Sequence, residues 1–193
     1  MPSFVVVGHH AHTSGDFSLN DMPGSAGRMD ILCRCINTSF FLSHDLRRDV
    51  ELILVLCGEP DPPKIVLLRG SELRYLSPDE RSAGALLKKA LALPCGDAYR
   101  PSTPGIYVKR GGFAGVVQEG NGGILDEKGV DLRTAAELPG RLFLSDHHDF
   151  SEEEREQIRT FPAFSVGPCS LHADHVITTV LNELDRRNAG WIS

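Results

Sequence analysis

Long apolar runs are missing from this 193-residue chain. The longest, Phe4–Val7 (FVVV) and Leu52–Leu56 (LILVL), fall far short of the roughly 20 residues a membrane-spanning helix needs. The start of the chain also lacks a basic segment followed by an apolar one, the pattern of a secretory leader. A cytoplasmic protein without a membrane partner is expected. Paired cysteines are missing too. The five present, at 33, 35, 57, 95 and 169, are odd in number, and Cys33-Arg34-Cys35 is a lone C-x-C with no second pair. That excludes a disulfide framework and argues against a zinc ribbon. Cys33 and Cys35 are expected as reduced thiols packed on or beside a helix, and no metal is assigned.

Positive charge is scarce. The net charge is −6, which argues against a surface coated with phosphate-binding side chains, and DNA is not an expected partner. The distribution is uneven. Residues 1–110 hold 13 Lys/Arg against 12 Asp/Glu, while 111–193 hold 7 against 14. An anionic polymer would therefore lie mainly on the N-terminal part. Nucleotide and nucleophile signatures are absent as well: no Walker-type loop, no G-x-G-x-x-G and no G-x-S-x-G. Gly111-Gly112 and Gly120–Gly123 lack the strand-turn-helix spacing of a phosphate cradle and read as turns. With no repeat, low-complexity tract or linker, one domain over 1–193 is expected.

What is present alternates between strand and helix patterns. Residues 3–7 read as a strand, followed by a polar loop rich in Gly, Pro, Asn, Asp and Ser. Met29, Leu32, Cys33, Ile36 and Phe40 recur on one helical face. Residues 49–57 (DVELILVLC) form a strand buried on both faces, and after the turn GEPDPP, 64–70 (KIVLLRG) is its hairpin partner. SPDERSAGALLKKALAL is a helix with Ser77 as N-cap, Pro78 at the first helical position and a Ser77/Glu80 capping box, ending near Pro94. Strands follow at GIYVKRG, ILDEKG, RLFLSD and AFSVG. A helix capped by Ser151 lies between the last two. A final helix starts from Cys169-Ser170, with Leu171, Val176, Val180, Leu181 and Leu184 on its apolar face. This order indicates an α/β sheet with parallel pairs.

Seven of the eight histidines fall in clusters: His9-His10-His12, Asp146-His147-His148 and His172-Ala173-Asp174-His175. Imidazole and carboxylate suit a divalent hydrolase, so a metal-dependent phosphohydrolase is one reading. The ladder of further aspartates such enzymes need at strand ends is missing, which favours histidines that cap or line a pocket. Three strand ends offer another chemistry. Leu125 precedes a DEKG turn, Ser145-Asp146 follows LFL, and Ser165-Val166-Gly167-Pro168-Cys169-Ser170 follows AF. Ligands of open α/β sheets sit beyond the carboxyl ends of strands. Three such loops can form one adenosine pocket, with Leu125, Val166 and Leu171 against the base.

Four stretches, GSAGRMDILCRCINTSFFLSHDLRRDVELILVL, GSELRYLSPDER, STPGIYV, and SDH followed by the LHADHVI helix, resemble the archaeal tRNA (pseudouridine-54) N1-methyltransferases of the SPOUT superfamily. SHDLRRDV, SPDER and STPGIYV come in order, and the resemblance covers nearly the whole chain. It implies a SPOUT-type α/β sheet whose C-terminal part, 120–193, forms a trefoil knot against the usual rules of chain connection. It also implies a homodimer, S-adenosylmethionine bound in the knot, and tRNA facing the N-terminal part. Leu125, Ser145, Ser165, Val166, Gly167, Pro168, Cys169, Ser170 and Leu171 match the family's cofactor loops, and Val176 joins them. Ser145 stands where Gly is expected, and Gly167-Pro168 where Ser-Pro is familiar.

N1-methylation of pseudouridine requires loss of the N1 proton and in-line approach to the sulfonium methyl. Asp49 is the candidate base or base-orienting acid, and Arg47 the candidate stabiliser of charge on the uracil carbonyls. Arg28, Arg48, Arg69, Arg81 and Lys109 are the candidate RNA contacts. A ribosomal RNA pseudouridine N1-methyltransferase would share the cofactor and differ in substrate. A non-catalytic RNA-binding dimer would bind tRNA without it.

Overall fold

A computed structural model describes residues 1–191. Eight strands form one sheet: β1 (Ser3–Gly8), β2 (Glu51–Leu56), β3 (Lys64–Arg69), β4 (Arg100–Pro101), β5 (Ile106–Arg110), β6 (Gly123–Asp131), β7 (Arg141–Ser145) and β8 (Ala163–Ser165), in the order β4-β5-β3-β2-β1-β7-β6-β8. β2, β1, β7, β6 and β8 run parallel, and β3, β5 and β4 extend the sheet as antiparallel neighbours. The expected β2–β3 hairpin is present, with Glu51 opposite Arg69 and Leu56 opposite Lys64.

Among the described residues the α-helices are α1 (Met22–Ser25), α2 (Met29–Phe40), α3 (Glu80–Leu91), α4 (Phe113–Gln118), α5 (Glu152–Ile158) and α6 (Ala173–Asn188). The strands sort their side chains by the two-residue period. Phe4, Val6, Leu52, Leu54 and Leu56 join the cluster that takes in α2, α3 and α6. Val5, Val7, Ile53 and Val55 join the one beneath α4 and α5. Burial on both faces explains why β1 and β2 read as continuous apolar runs. The five α2 positions picked out by spacing are all buried, at no more than 1% exposure. Cys33 is one of them and Cys35 is buried on the same helix, both as free thiols, and burial pushes Cys33 up to about 12.

Four local expectations are corrected. α3 starts two residues late, because Asp79 rather than Ser77 is the N-cap, its carboxylate accepting from Ser82 N–H at 2.7 Å. Ser77 N–H instead donates to the Ser82 hydroxyl, so no Ser77/Glu80 box forms. α6 starts at Ala173, not at Cys169-Ser170, since His172 is still extended at ψ 150°. Leu171 therefore lies outside the helix and is 42% exposed, and Ile177 supplies the core contact. Gly112 is the N-cap of α4 rather than a simple turn residue. The single-turn α1, capped by Asp21, interrupts the loop after β1. The capping role of Ser151 stands, as a full box with Glu154.

Candidate active site

The carboxyl ends of β6, β7 and β8 open onto a cleft of about 400 Å³. Its walls are the turn in β6, the loop between β7 and α5, and residues 165–173. The β6 turn is a bulge. Leu125 and Val130 both pair with Phe164, so 126–129 leave the ladder and overhang the cleft. Gly129 makes that possible, since a Cβ there would sit 2.5 Å from Phe164 N. In the third wall the Ser165 hydroxyl donates to Gly167 O (2.8 Å) and accepts from Gly167 N–H (3.2 Å), which folds the chain back on itself.

Of the ten residues expected to hold a cofactor, Leu125, Ser145, Ser165, Val166, Gly167, Cys169, Ser170, Leu171 and Val176 line this cleft. Pro168 belongs to the same loop but is not part of the lining. Apolar Leu125, Val166, Leu171 and Val176 stand beside peptide groups of a loop without regular structure. Such a surface fits adenosine, which needs a flat apolar slot and a few backbone donors and acceptors.

The sequence also gave no sign of an ion-pair network behind the cleft. His9, just beyond β1, places Nδ1 3.0 Å from Asp146 Oδ1 and Nε2 3.0 Å from Glu154 Oε2. Its backbone N–H donates to Asp146 Oδ2 at 3.1 Å. The bond to Asp146 is the main cause that raises His9 to about 9, helped by Glu154 and opposed by burial. The ring is therefore an imidazolium at neutral pH. Burial alone would push the Asp146 carboxyl up, but the bonds from His9 and from His148 N–H (3.0 Å) prevail and hold it below the usual range. Asp146 is thus committed to the loop's own geometry. His10, His147 and His148 cluster at the rim, with ring centroids 4.1–6.3 Å apart. Burial and the neighbouring His148, Arg28 and His10 lower His147 against the pull of Asp146. Among the described residues, no group of three or more His, Cys, Asp or Glu side chains has the arrangement of a metal site.

Asp49 and Arg47 are elsewhere. Val55 of β2 is level with Val7 and, through it, with Ser145 at the cleft. Asp49 lies six residues earlier, roughly 20 Å away along the strand direction, and is exposed. The Arg47 guanidinium is bound to the Asp185 carboxylate of α6, one of its two contacts being 2.8 Å. That bond holds the Asp185 carboxyl below its usual range. The five RNA candidates do not form one patch. Arg28 pairs with Asp30 near the cleft rim. Arg48 and Arg69 sit at the opposite sheet end, with Arg69 on Glu51 at 3.1 Å. Lys109 pairs with Glu119 on the outer part of the sheet. Arg81 donates to Asn20 from the start of α3.

Comparison with known proteins adds to this geometry. A family model described as "Putative SAM-dependent RNA methyltransferase" matches residues 1–189. A protein of Methanocorpusculum labreanum, named tRNA (pseudouridine(54)-N(1))-methyltransferase, is 55% identical over 97% of this chain and 98% of its own length. Proteins of the same name from Methanospirillum hungatei (47%, full coverage of both chains) and Haloferax volcanii (45%, 96% of each) are also similar. Among solved structures, Archaeoglobus fulgidus Nep1 bound to S-adenosylhomocysteine matches 97% of this chain and 99% of that one. Its TM-score is 0.65 at 17% identity, a likeness of fold.

Proposed function

The chain belongs to the RNA methyltransferase family that matches its residues 1–189, and from that premise we propose that it methylates N1 of pseudouridine at position 54 of tRNA, using S-adenosylmethionine. The names of full-length relatives at 45–55% identity support the substrate. The observation that carries the cofactor is the cleft at the ends of β6, β7 and β8, where peptide groups and four aliphatic side chains face one space. When bound, S-adenosylmethionine supplies an electrophilic methyl group on a sulfonium. The chain contributes binding and orientation. Leu125, Val166, Leu171 and Val176, which line the cleft, would hold the adenine, and the 165–172 loop would supply peptide groups for its polar edge. The His9–Asp146–Glu154 bridge keeps the second wall, the loop between β7 and α5, in place. Bringing N1 into line with the methyl is the main source of rate.

In this reading 1–193 acts as one SPOUT domain, with 120–193 knotted around the cofactor and the N-terminal part facing RNA. The distance of Asp49 from its own cleft supports a homodimer in which Asp49 and Arg47 serve the cleft of the second copy. There Asp49 takes the N1 proton and Arg47 meets charge on the uracil carbonyls. The test uses two inactive variants, Asp49→Asn and the cleft-filling Ser170→Trp. Each alone is expected to lose methyl transfer to tRNA, with Asp49→Asn still binding S-adenosylhomocysteine by calorimetry. Mixing them after subunit exchange regains up to a quarter of the activity if the site is shared. No recovery, with exchange shown by mass, refutes the shared site. Retained transfer by Ser170→Trp refutes the cleft.

A further inference from the structure

The segment between β3 and α3 displays an aromatic ring that the fold does not use. Tyr75 is 75% exposed and adopts φ 65°, in the left-handed region. For a bulky side chain that conformation is an outlier, and it persists only where the surroundings dictate it. Here they do. Leu73 and Leu76 on either side are buried in the main cluster. Leu73 N–H donates to Arg69 O at 3.0 Å. The Arg48 guanidinium donates to the carbonyls of Gly70 (3.2 Å) and Leu73 (2.8 Å). Gly105, at φ 82°, packs so closely that a Cβ there would lie 2.5 Å from Leu73 N. The chain is pinned on both sides of Tyr75, so its ring stands out on a fixed base.

The neighbouring charge is positive. Arg48 and Arg74 line one surface depression beside Pro104, and Arg74 is exposed. Besides those two carbonyls, Arg48 pairs with the exposed Asp45 carboxylate at 3.7 Å, a pair of little worth in water. The acid of the same depression, Glu72, is taken up by the Tyr107 hydroxyl and by Arg69 at 3.6 Å. A rigid exposed ring next in the chain to a depression lined by two guanidiniums is the chemistry that holds unpaired nucleotides: the base stacks and the flanking phosphates meet the cations.

We propose that Tyr75, with Arg48 and Arg74 in the adjoining depression, is a stacking platform for an unpaired base of the RNA. This rests on the RNA-methyltransferase reading above. Because the platform lies at the sheet end opposite the cleft of the same chain, the base it takes is a different one from the base methylated in that cleft.

Tyr75→Gly gives a clean test, since glycine relieves the left-handed backbone and leaves the fold unharmed. Binding of pseudouridine-containing tRNA is measured at one stated salt concentration, together with S-adenosylhomocysteine affinity, Tm and molecular mass in solution. Tyr75→Gly is expected to weaken tRNA binding roughly 5- to 150-fold, the range that loss of one base stack implies. Its Tm is not lowered, and its cofactor affinity and mass are unchanged. Tyr75→Phe keeps the ring and binds RNA within about twofold of the parent. Arg74→Gln lowers the salt slope of binding by about 1. Tight tRNA binding by Tyr75→Gly overturns the platform. So does a loss accompanied by a change in mass, which would make this face a contact between copies. A parent protein that binds S-adenosylhomocysteine but no tRNA overturns the RNA reading itself.

Discussion

Replacing His9 by glutamine tests the ion-pair network behind the cleft. The imidazolium bridges Asp146 and Glu154 at 3.0 Å each, and the Asp146 side chain is only 2% exposed. Glutamine keeps one polar contact but leaves the buried carboxylate without its counter-charge. Raising His9 from 6.5 to about 9 corresponds to about 3 kcal/mol at about 1.36 kcal/mol per pH unit. Allowing for the 17% exposure of the ring and for relaxation, about 2–3 kcal/mol is expected, at the lower edge of what breaking a buried pair costs. The folded-state value lies above the unfolded one. The contribution is therefore complete below about pH 6.5 and disappears as pH rises through about 9. Urea unfolding of parent and His9→Gln across pH 6–10 checks this. The parent should exceed the variant by about 2–3 kcal/mol at pH 6, a Tm difference of about 4–12 °C, and the gap should close toward pH 10. A gap that does not change with pH would refute the electrostatic account and leave only packing.

Other perturbations probe separate parts of the chain. Ser151→Ala removes one half of the capping box of α5 and should cost about 1 kcal/mol in urea unfolding, with the cleft and cofactor affinity retained. Ile177→Ala opens a hole where α6 meets the sheet, at a side chain with no exposure, and should cost about 2–5 kcal/mol by the same assay. Gly105→Ala forces a Cβ to within 2.5 Å of Leu73 N at φ 82°. It should lower Tm by more than the Ser151 change.

Much of this fold could be read from periodicity, because its inner strands and α2 bury whole faces. Phe4–Val7, Leu52–Leu56 and the Met29–Phe40 stripe have no other stable placement. Helix starts were less legible where two residues compete for one role. Ser77 and Asp79 both precede α3, and the stronger carboxylate acceptor takes the cap, so the start shifts. Leu171 fitted the helical spacing of α6 but belongs to the cleft wall, since the chain bends through residues 166–169 and stays out of the helix until His172. The cleft itself was visible in outline as three strand ends. The bridge from His9 to Asp146 and Glu154 was not, because it joins positions 137 and 145 residues apart and no local pattern encodes that pairing. Asp49 shows the opposite case. Its neighbourhood in sequence suggested chemistry, while the parallel register of β2 and β1 sets it at the far end of the sheet.

The central claim is methylation at N1 of pseudouridine, and the most direct test compares two tRNA transcripts that differ at one nucleotide. One carries pseudouridine at position 54 and the other uridine, each incubated with labelled S-adenosylmethionine. Label on the pseudouridine transcript alone, recovered as N1-methylpseudouridine after digestion, is the expected result. Equal label on both transcripts, or on neither while S-adenosylhomocysteine binds, would contradict it.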